Sequence, residues 1–194
     1  TNIAQQSAVL EATGAVVAPI KALIPRVRSG DPTNIEAQGA RRYWPLLFGE
    51  SFRRDRSSHG VNALLNYGYT VLRAATARAV VAAGLHPTLG VHHQNQGNPM
   101  RLVDDLMEPF RPVIDLLVWQ LDQRGETEVS PENKRTLVRS LYDDMQSTVG
   151  ATPTMACLQR LAGSLAQVYM GERSDLELPF PGLPLSLAAQ LRDD

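Results

Sequence analysis

Apolar residues recur along this chain at spacings of three and four, the period of helices that pack by one face. No segment shows the apolar–polar alternation of a half-buried strand. The spacing predicts a first helix over 3–12, stopped near Gly14. The stretch 16–27 reads as a second, interrupted or bent by Pro19 and Pro25. Asp31 is a good N-cap residue and Pro32 suits a first helical position, so a helix is expected from Asp31 to about Leu47. Residues 49–60 are polar, arginine-rich and without period, and read as a mobile loop. The longest helix is expected over 61–83, ended by Gly84. Its only charges are Arg73 and Arg78, which predicts a central helix with neighbours on most sides.

After a loop over 87–97, rich in His, Gln, Asn and Gly, a helix is expected from about Pro99 to Gln123, kinked at Pro109 and Pro112. Ser130 caps and Pro131 opens the next, with Leu137, Leu141 and Met145 on one face. Thr152 and Pro153 do the same for a last helix with Leu158, Leu161, Leu165 and Val168 on its core face. From Leu178 the chain is proline-rich and is expected to pack irregularly or to be partly disordered. The expectation is one all-α, multi-helix domain over 1–194, with 178–194 as a tail and no internal repeat.

Composition refines this picture in a few ways. With 194 residues, 43% hydrophobic and 20% charged, the chain can bury a substantial core. No apolar run approaches a membrane span, and the first ten residues lack the pattern of a secretory signal. Cys157 is the single cysteine, so an internal disulfide and a cysteine zinc cluster are excluded. It reads as a small core hydrophobe, and a reducing cytoplasm fits. The net charge of -1 gives no general attraction to nucleic acid, so any DNA contact must come from a local patch. Arg41, Arg42, Arg53, Arg54 and Arg56 form such a patch in sequence, which reads as a solvated loop or as a DNA contact. The start at Thr1, inside a helix-like segment, fits a truncated or processed chain.

Four ionisable residues are candidates for chemistry: Glu36, His93, Asp105 and Glu108. Asp105 and Glu108 lie three apart in a helical segment and project from one face. The same segment carries Leu102, Leu106 and Phe110, so it is partly packed, and carboxylates there are costly unless paired or bound to metal. An imidazole and a third carboxylate nearby would give an oxygen and nitrogen ligand set suited to manganese or magnesium. Against this, acid pairs on helices are commonly solvated, a loop histidine is commonly a surface residue, and Glu36 also suits the start of a helix. Asp104 competes with Asp105, since adjacent residues point to different sides. A Walker-type phosphate loop, a dinucleotide fingerprint and a nucleophile elbow are all absent.

Three ordered stretches carry a family resemblance. They are 34–44 (Asn-Ile-Glu-Ala-Gln-Gly-Ala-Arg-Arg-Tyr-Trp), 62–69 (Asn-Ala-Leu-Leu-Asn-Tyr-Gly-Tyr) leading on through 84–87 to 89–93, and 102–112 (Leu-Val-Asp-Asp-Leu-Met-Glu-Pro-Phe-Arg-Pro) closed by Asp115. In this order the chain resembles the CRISPR-associated integrase of spacer acquisition, the first of the two adaptation proteins (Cas-one). It is most similar to members found beside Cas-nine effectors. The resemblance runs from about Ile3 to Leu121. It implies a helical catalytic domain, with the family's N-terminal β-rich domain absent from this chain, and so puts dimerisation in question.

The resemblance also implies a site and an activity. Glu36, His93 (with His92 as the competing choice) and Glu108 would bind Mg2+ or Mn2+, with Asp105 as a further ligand or an orienting group. The implied reaction joins 3′-hydroxyl ends of short double-stranded DNA to a repeat by transesterification, with a non-catalytic DNA-binding scaffold of the adaptation complex and a related mobile-element integrase as the alternative readings. Implied partners are a small adaptation protein (Cas-two) and, in a complete protein, a second copy of the chain. Arg41, Arg42, Arg53, Arg54, Arg56 and Arg111 would contact DNA, Arg111 with the alternative of pairing with an acid such as Asp115. Tyr67 and Tyr69 read equally as stacking platforms or as core tyrosines.

Overall fold

The computed structural model describes residues 2–27, 34–91, 97–180 and 183–185. Helices dominate, as the apolar spacing requires. Helix α1 (Asn2–Ala12) is followed by a short α2 (Ala18–Lys21) and a 3-10 turn (Ile24–Arg26). Pro19 and Pro25 each stand at the start of one of these pieces, where a missing N–H costs nothing. The expected second helix is therefore two short ones.

Helix α3 spans Ile35–Phe48. Asn34 precedes it in the left-handed region (φ 54°), so the chain enters the helix by a turn at Asn34. The expected cap at Asp31 and Pro32 lies outside the described residues. Helix α4 (Val61–Ala82) ends before Gly84, whose φ of 75° lies in the left-handed region that favours glycine. It packs on α5 (Arg101–Met107), α6 (Arg111–Gln123), α7 (Pro131–Arg139) and α8 (Thr154–Tyr169), the central position its composition predicts. Leu64, Leu65, Leu72 and Val80 supply its fully buried face.

The expected kinked helix over 99–123 is α5, one 3-10 turn (Glu108–Phe110) and α6. Pro109 and Pro112 each fall at the first positions of a new piece, so each break is placed by a residue with no donor to offer. Glu108 thus sits at a helix junction, and Phe110 beside it is fully buried.

The last third adds one small sheet to the expected helices. Helix α7 stops at Arg139, and a two-stranded antiparallel hairpin follows, β1 (Asp144–Ser147) with β2 (Gly150–Pro153). Leu137, Leu141 and Met145 are all buried, but they belong to a helix, a 3-10 turn and a strand. Their spacing of four mimicked one helical face. Thr152 is paired with Met145 in the hairpin and caps nothing. Helix α8 begins at Thr154, whose hydroxyl donates to the Asp143 carbonyl at 2.9 Å. The expected tail is irregular where described, and the Phe180 N–H donates to the Gln146 carbonyl at 3.2 Å beside the hairpin. Cys157 is buried in the core, its thiol raised above its ordinary value by burial. No helix among the described residues is long and apolar enough to cross a membrane.

Gly68 of α4 is the point of closest helix approach. A Cβ there would collide with Ile114 Cγ2 of α6 and lie 3.4 Å from Leu137 Cδ2 of α7. A branched side chain cannot move that close to its own backbone without shifting α6. The Gly68→Ala protein is expected to be less stable by about 1–3 kcal/mol despite the better helix propensity of alanine, read from urea unfolding midpoints at unchanged m.

An arginine-lined cleft and its carboxylates

The site grows from a charged group that the fold buries. Asp115 of α6 is 2% exposed, and its two oxygens accept from Tyr43 Oη of α3 (3.1 Å) and Tyr69 Oη of α4. Burial raises its carboxyl to about 6, against the hydrogen bond of Tyr69, the charge of Arg111 and the hydrogen bond of Tyr43, which hold it down. Both tyrosines are raised well above their ordinary range, by burial first and then by the Asp115 charge. Tyr69 therefore turns its hydroxyl into the core, while its ring faces outward under two guanidinium groups. Arg111 lies 4.4 Å and Arg54 5.5 Å from the ring centroid.

Outward from this ring opens a cleft of about 780 Å³. Helix α4 contributes Asn66, Tyr69, Thr70 and Arg73. The loop before it contributes Arg54 and Arg56, and the α5–α6 junction Asp104, Met107, Glu108 and Arg111. Four guanidinium groups thus face two carboxylates, so the cleft attracts anions although the chain as a whole does not.

The loop over 49–60 lacks regular structure, but it is braced rather than loose. Asn62 Oδ1 accepts from Arg54 Nη1 and the Asp55 N–H, both at 2.9 Å, and its Nδ2 donates to the Arg53 carbonyl at 3.0 Å. Asn66 accepts from Arg54 Nη2 at 2.6 Å and donates to the Arg56 carbonyl at 2.9 Å. Asp55 accepts from the Ser57 and Ser58 hydroxyls, and the Ser58 bond is the first cause of its carboxyl sitting at about 2. Two asparagines one turn apart on α4 therefore fix where Arg54 and Arg56 stand. Residues 49–60 form a loop, as expected, and these bonds tie it to α4.

Glu108 is held at both oxygens. Arg111 Nη1 donates to Oε1 at 2.5 Å, and Asn2 Nδ2 of α1 donates to Oε2 at 2.9 Å. Burial pulls Arg111 down, but Tyr69, Glu108 and Asp115 outweigh it and hold the guanidinium above its ordinary value. Arg111 thus donates to Glu108, and the Asp115 charge supports it from nearby. The Oδ1 of Asn2 is buried and has no hydrogen-bond partner among the described residues. Glu36 is exposed on the first turn of α3. Helix α3 meets α1 where Gly39 lies against Ile3, the residue after Asn2. The first turn of α1 therefore touches both elements that carry these carboxylates.

Adjacent acids divide their tasks. Asp104 lines the cleft and accepts from Arg73 Nε (2.6 Å) and Nη2 (3.0 Å) and from Asn98 Nδ2 (2.6 Å). Asp105 accepts from the Val91 N–H at 2.6 Å, two residues before His93. His92 and His93 lie outside the described residues. Among those described, no three His, Cys, Asp or Glu residues come together as a metal-binding group.

The arginines adjacent in sequence spread over two neighbouring pockets that share Arg54. Arg54 and Arg56 line the cleft, Arg42 donates to the Pro19 carbonyl at 3.0 Å, and Arg41 and Arg53 line a neighbouring pocket. Tyr67 lies elsewhere, its ring 5.6 Å from Lys134 Nζ. Sequence reasoning gave Asn2 no part, read Asn62 and Asn66 only as members of a motif, and left Arg73 as a mark of helix composition. The signal for Arg73 was present: one of two charges on an otherwise apolar helix needs a partner, and Asp104 is that partner.

A helical domain with an arginine-lined cleft at a broken helix is the class of protein that these features define. Residues 17–169 match the family described as CRISPR associated protein Cas1, and the chain belongs to that family. It is 38% identical over 189 residues to the CRISPR-associated endonuclease Cas1 of Neisseria meningitidis serogroup C (strain 8013), covering 95% of this chain and 62% of that protein. It is 30% identical over 154 residues to a Cas1 endonuclease of Pyrobaculum aerophilum, covering 76% of this chain and 52% of that one. The chain therefore spans about half to two thirds of these relatives' lengths. Among solved structures, a casposase bound to integration product superposes with a TM-score of 0.74 at 22% identity, over 91% of this chain and 60% of that one. A Cas1 protein from Thermotoga maritima gives 0.73 at 15%, over 89% and 63%. These two likenesses concern the fold.

Asp115 makes stability depend on pH. Its folded value lies above the unfolded one, so the folded state holds the proton more tightly. That contribution is complete below the unfolded value and is lost as pH rises through about 6. Asp115→Asn cannot titrate. Relative to the parent, the variant is expected to gain about 2 kcal/mol of stability between about pH 4 and about pH 7.5, measured by urea unfolding at both. A constant difference would contradict the assignment.

Proposed function

We propose that this chain is the catalytic part of a DNA integrase that depends on Mg2+ or Mn2+. It would join 3′-hydroxyl ends of short double-stranded DNA to a CRISPR repeat. The observation that carries the reading is the cleft, where Arg54, Arg56, Arg73 and Arg111 surround the carboxylates of Asp104 and Glu108. Guanidinium groups in a fixed fork suit phosphate, and a carboxylate among them suits a phosphate-bound divalent ion. Family membership supports the same chemistry.

Glu36, His93 and Glu108 would hold the ion, with Asp105 as a further ligand or orienting group. The local chemistry fits. Glu108 offers oxygen donors fixed by Arg111 and Asn2, and the orphaned Asn2 oxygen beside it lacks the donor, or the ion-bound water, that a buried amide oxygen requires. When bound, the ion would lower the pKa of the attacking hydroxyl and balance charge on the phosphate. In the joining step the 3′-oxygen forms a bond to phosphorus, and the bond from phosphorus to the displaced strand's 3′-oxygen breaks. That oxygen leaves as a hydroxyl, so no cofactor is consumed. Arg73 and Arg111 would bind the phosphate under attack, and Arg54 and Arg56 the flanking backbone. Arg41, Arg42 and Arg53 would meet DNA further out. A small partner protein (Cas-two), a second copy of the chain and a cytoplasmic setting belong to the same proposal.

The test is transfer of a labelled duplex with free 3′ ends into a supercoiled plasmid, with manganese or with chelator, with and without the small partner. Joined product that needs metal and disappears in Glu36→Ala, with that variant's melting unchanged, is the expected outcome. Joining by Glu36→Ala at the parental rate would sink the ligand assignment. Salt-sensitive DNA binding without any product would favour a non-catalytic scaffold. Separately, Asn2→Ala is expected to weaken Mn2+ binding by about 10-fold in calorimetry, the usual effect of losing a group that orients a ligand. Unchanged affinity would remove Asn2 from the site.

A further inference from the structure

Helix α1 buries polar side chains beside its apolar ones. Gln5, Gln6 and Ser7 are as hidden as their neighbours Ile3, Val9 and Leu10. Gln5 has a task, its Nε2 donating to the Phe180 carbonyl at 3.2 Å. Gln6 is 6% exposed, and its Oε1 is buried with no hydrogen-bond partner among the described residues. Asn2 stands one turn earlier on the same face of α1, and its Oδ1 is in the same condition. A buried amide oxygen without a donor is costly, and two of them on one helix face call for a shared cause.

The neighbouring helices say where these oxygens stand. A Cβ at Gly39 of α3 would lie 3.3 Å from Ile3 Cδ1 and 3.7 Å from Gln6 Oε1, so Gly39 lets α3 close on this part of α1. Three residues further along α3, Arg42 donates to the Pro19 carbonyl at 3.0 Å. Pro19 belongs to α2, which the Lys21–Glu11 pair ties to the end of α1. Helix α3 therefore runs in the same sense as α1. Glu36, one turn before Gly39, stands toward the start of α1, where Asn2 donates to Glu108. The two orphaned oxygens thus lie between the elements that carry the two carboxylates.

We infer that Gln6 is a positioning residue of the metal centre, its Oε1 accepting, together with Asn2 Oδ1, from waters of the ion held at Glu36 and Glu108. The inference rests on the metal reading above. Mg2+ dehydrates reluctantly and keeps several waters when bound, and the hydrogens of those waters need acceptors. The carboxylates are engaged with the ion. Neutral amide oxygens take the remaining hydrogens without adding charge to the site. Gln6 acts through water and does not touch the ion.

The test compares Gln6→Met, of similar length and without an acceptor oxygen, with Gln6→Glu, which keeps one. Each is followed by Mn2+ calorimetry and by urea unfolding in chelator. Gln6→Met removes an orphaned polar atom, so its metal-free unfolding midpoint should equal or exceed the parent's, while its Mn2+ affinity falls about 10-fold. A midpoint that holds or rises excludes a damaged fold as the cause of that loss. Gln6→Glu should bind Mn2+ at least as tightly as the parent. Parental affinity in Gln6→Met would overturn the role of Gln6 and leave the reading of Glu36 and Glu108 standing. Weaker binding with a lowered midpoint, not restored in Gln6→Glu, would assign Gln6 to packing and overturn it as well. Absence of Mn2+ binding by the parent chain would overturn both.

Discussion

The cleft depends on one buried carboxylate. Asp115 is charged or nearly so at neutral pH, sits inside the core, and is tolerable there only because Tyr43 and Tyr69 donate to it and Arg111 lies near. That requirement joins α3, α4 and α6 at a single point. It also orients the Tyr69 ring, and the ring in turn carries Arg54 and Arg111 on its outer side. Removing one partner of such a group leaves an unsatisfied buried polar atom, so the network acts as a unit rather than as separate bonds.

From this point the polar bonds run outward in a chain. Arg111 holds Glu108, Glu108 holds Asn2, and Asn2 opens the helix that packs on α3 near Glu36. On the other side, Arg54 is clamped by Asn62 and Asn66, and Arg73 by Asp104 with Asn98. Each cationic group in the cleft that borders a carboxylate or an asparagine is therefore placed before any ligand arrives. Preorganised charge of this kind is what phosphate chemistry asks of a protein, since little reorganisation is left to be done on binding.

The chain's last third serves a different need. Met145 and Ser147 of the hairpin point inward, and the hairpin packs on α8, which in turn packs on α4. Arg160 and Arg173 both pair with Glu177, which fastens the irregular segment after α8 to that helix. Both arginines keep 37% of their side-chain surface exposed while Glu177 keeps 12%, so the pairs sit at the edge of solvent and fix the path of this segment.

The sequence by itself determined the helical class, the breaks at Pro19, Pro25, Pro109 and Pro112, the stop at Gly84 and the central place of α4. Each of these follows from local rules: apolar period, a missing donor, or a left-handed φ. The motif around Glu36, the stretch 102–112 and Asp115 were legible as a family pattern for the same reason, being short and ordered. The tertiary structure alone decided that Asp104 rather than Asp105 lines the cleft, because neighbouring residues on a helix differ by 100° in direction and only packing says which way is in. It alone split the arginines of 41–56 between two pockets and a backbone contact, and turned the Tyr69 hydroxyl inward. It also broke the face of Leu137, Leu141 and Met145 into helix, turn and strand. Spacing of four in a sequence is the same whether the chain continues as a helix or turns back, and only the partner strand at Thr152 distinguishes the two.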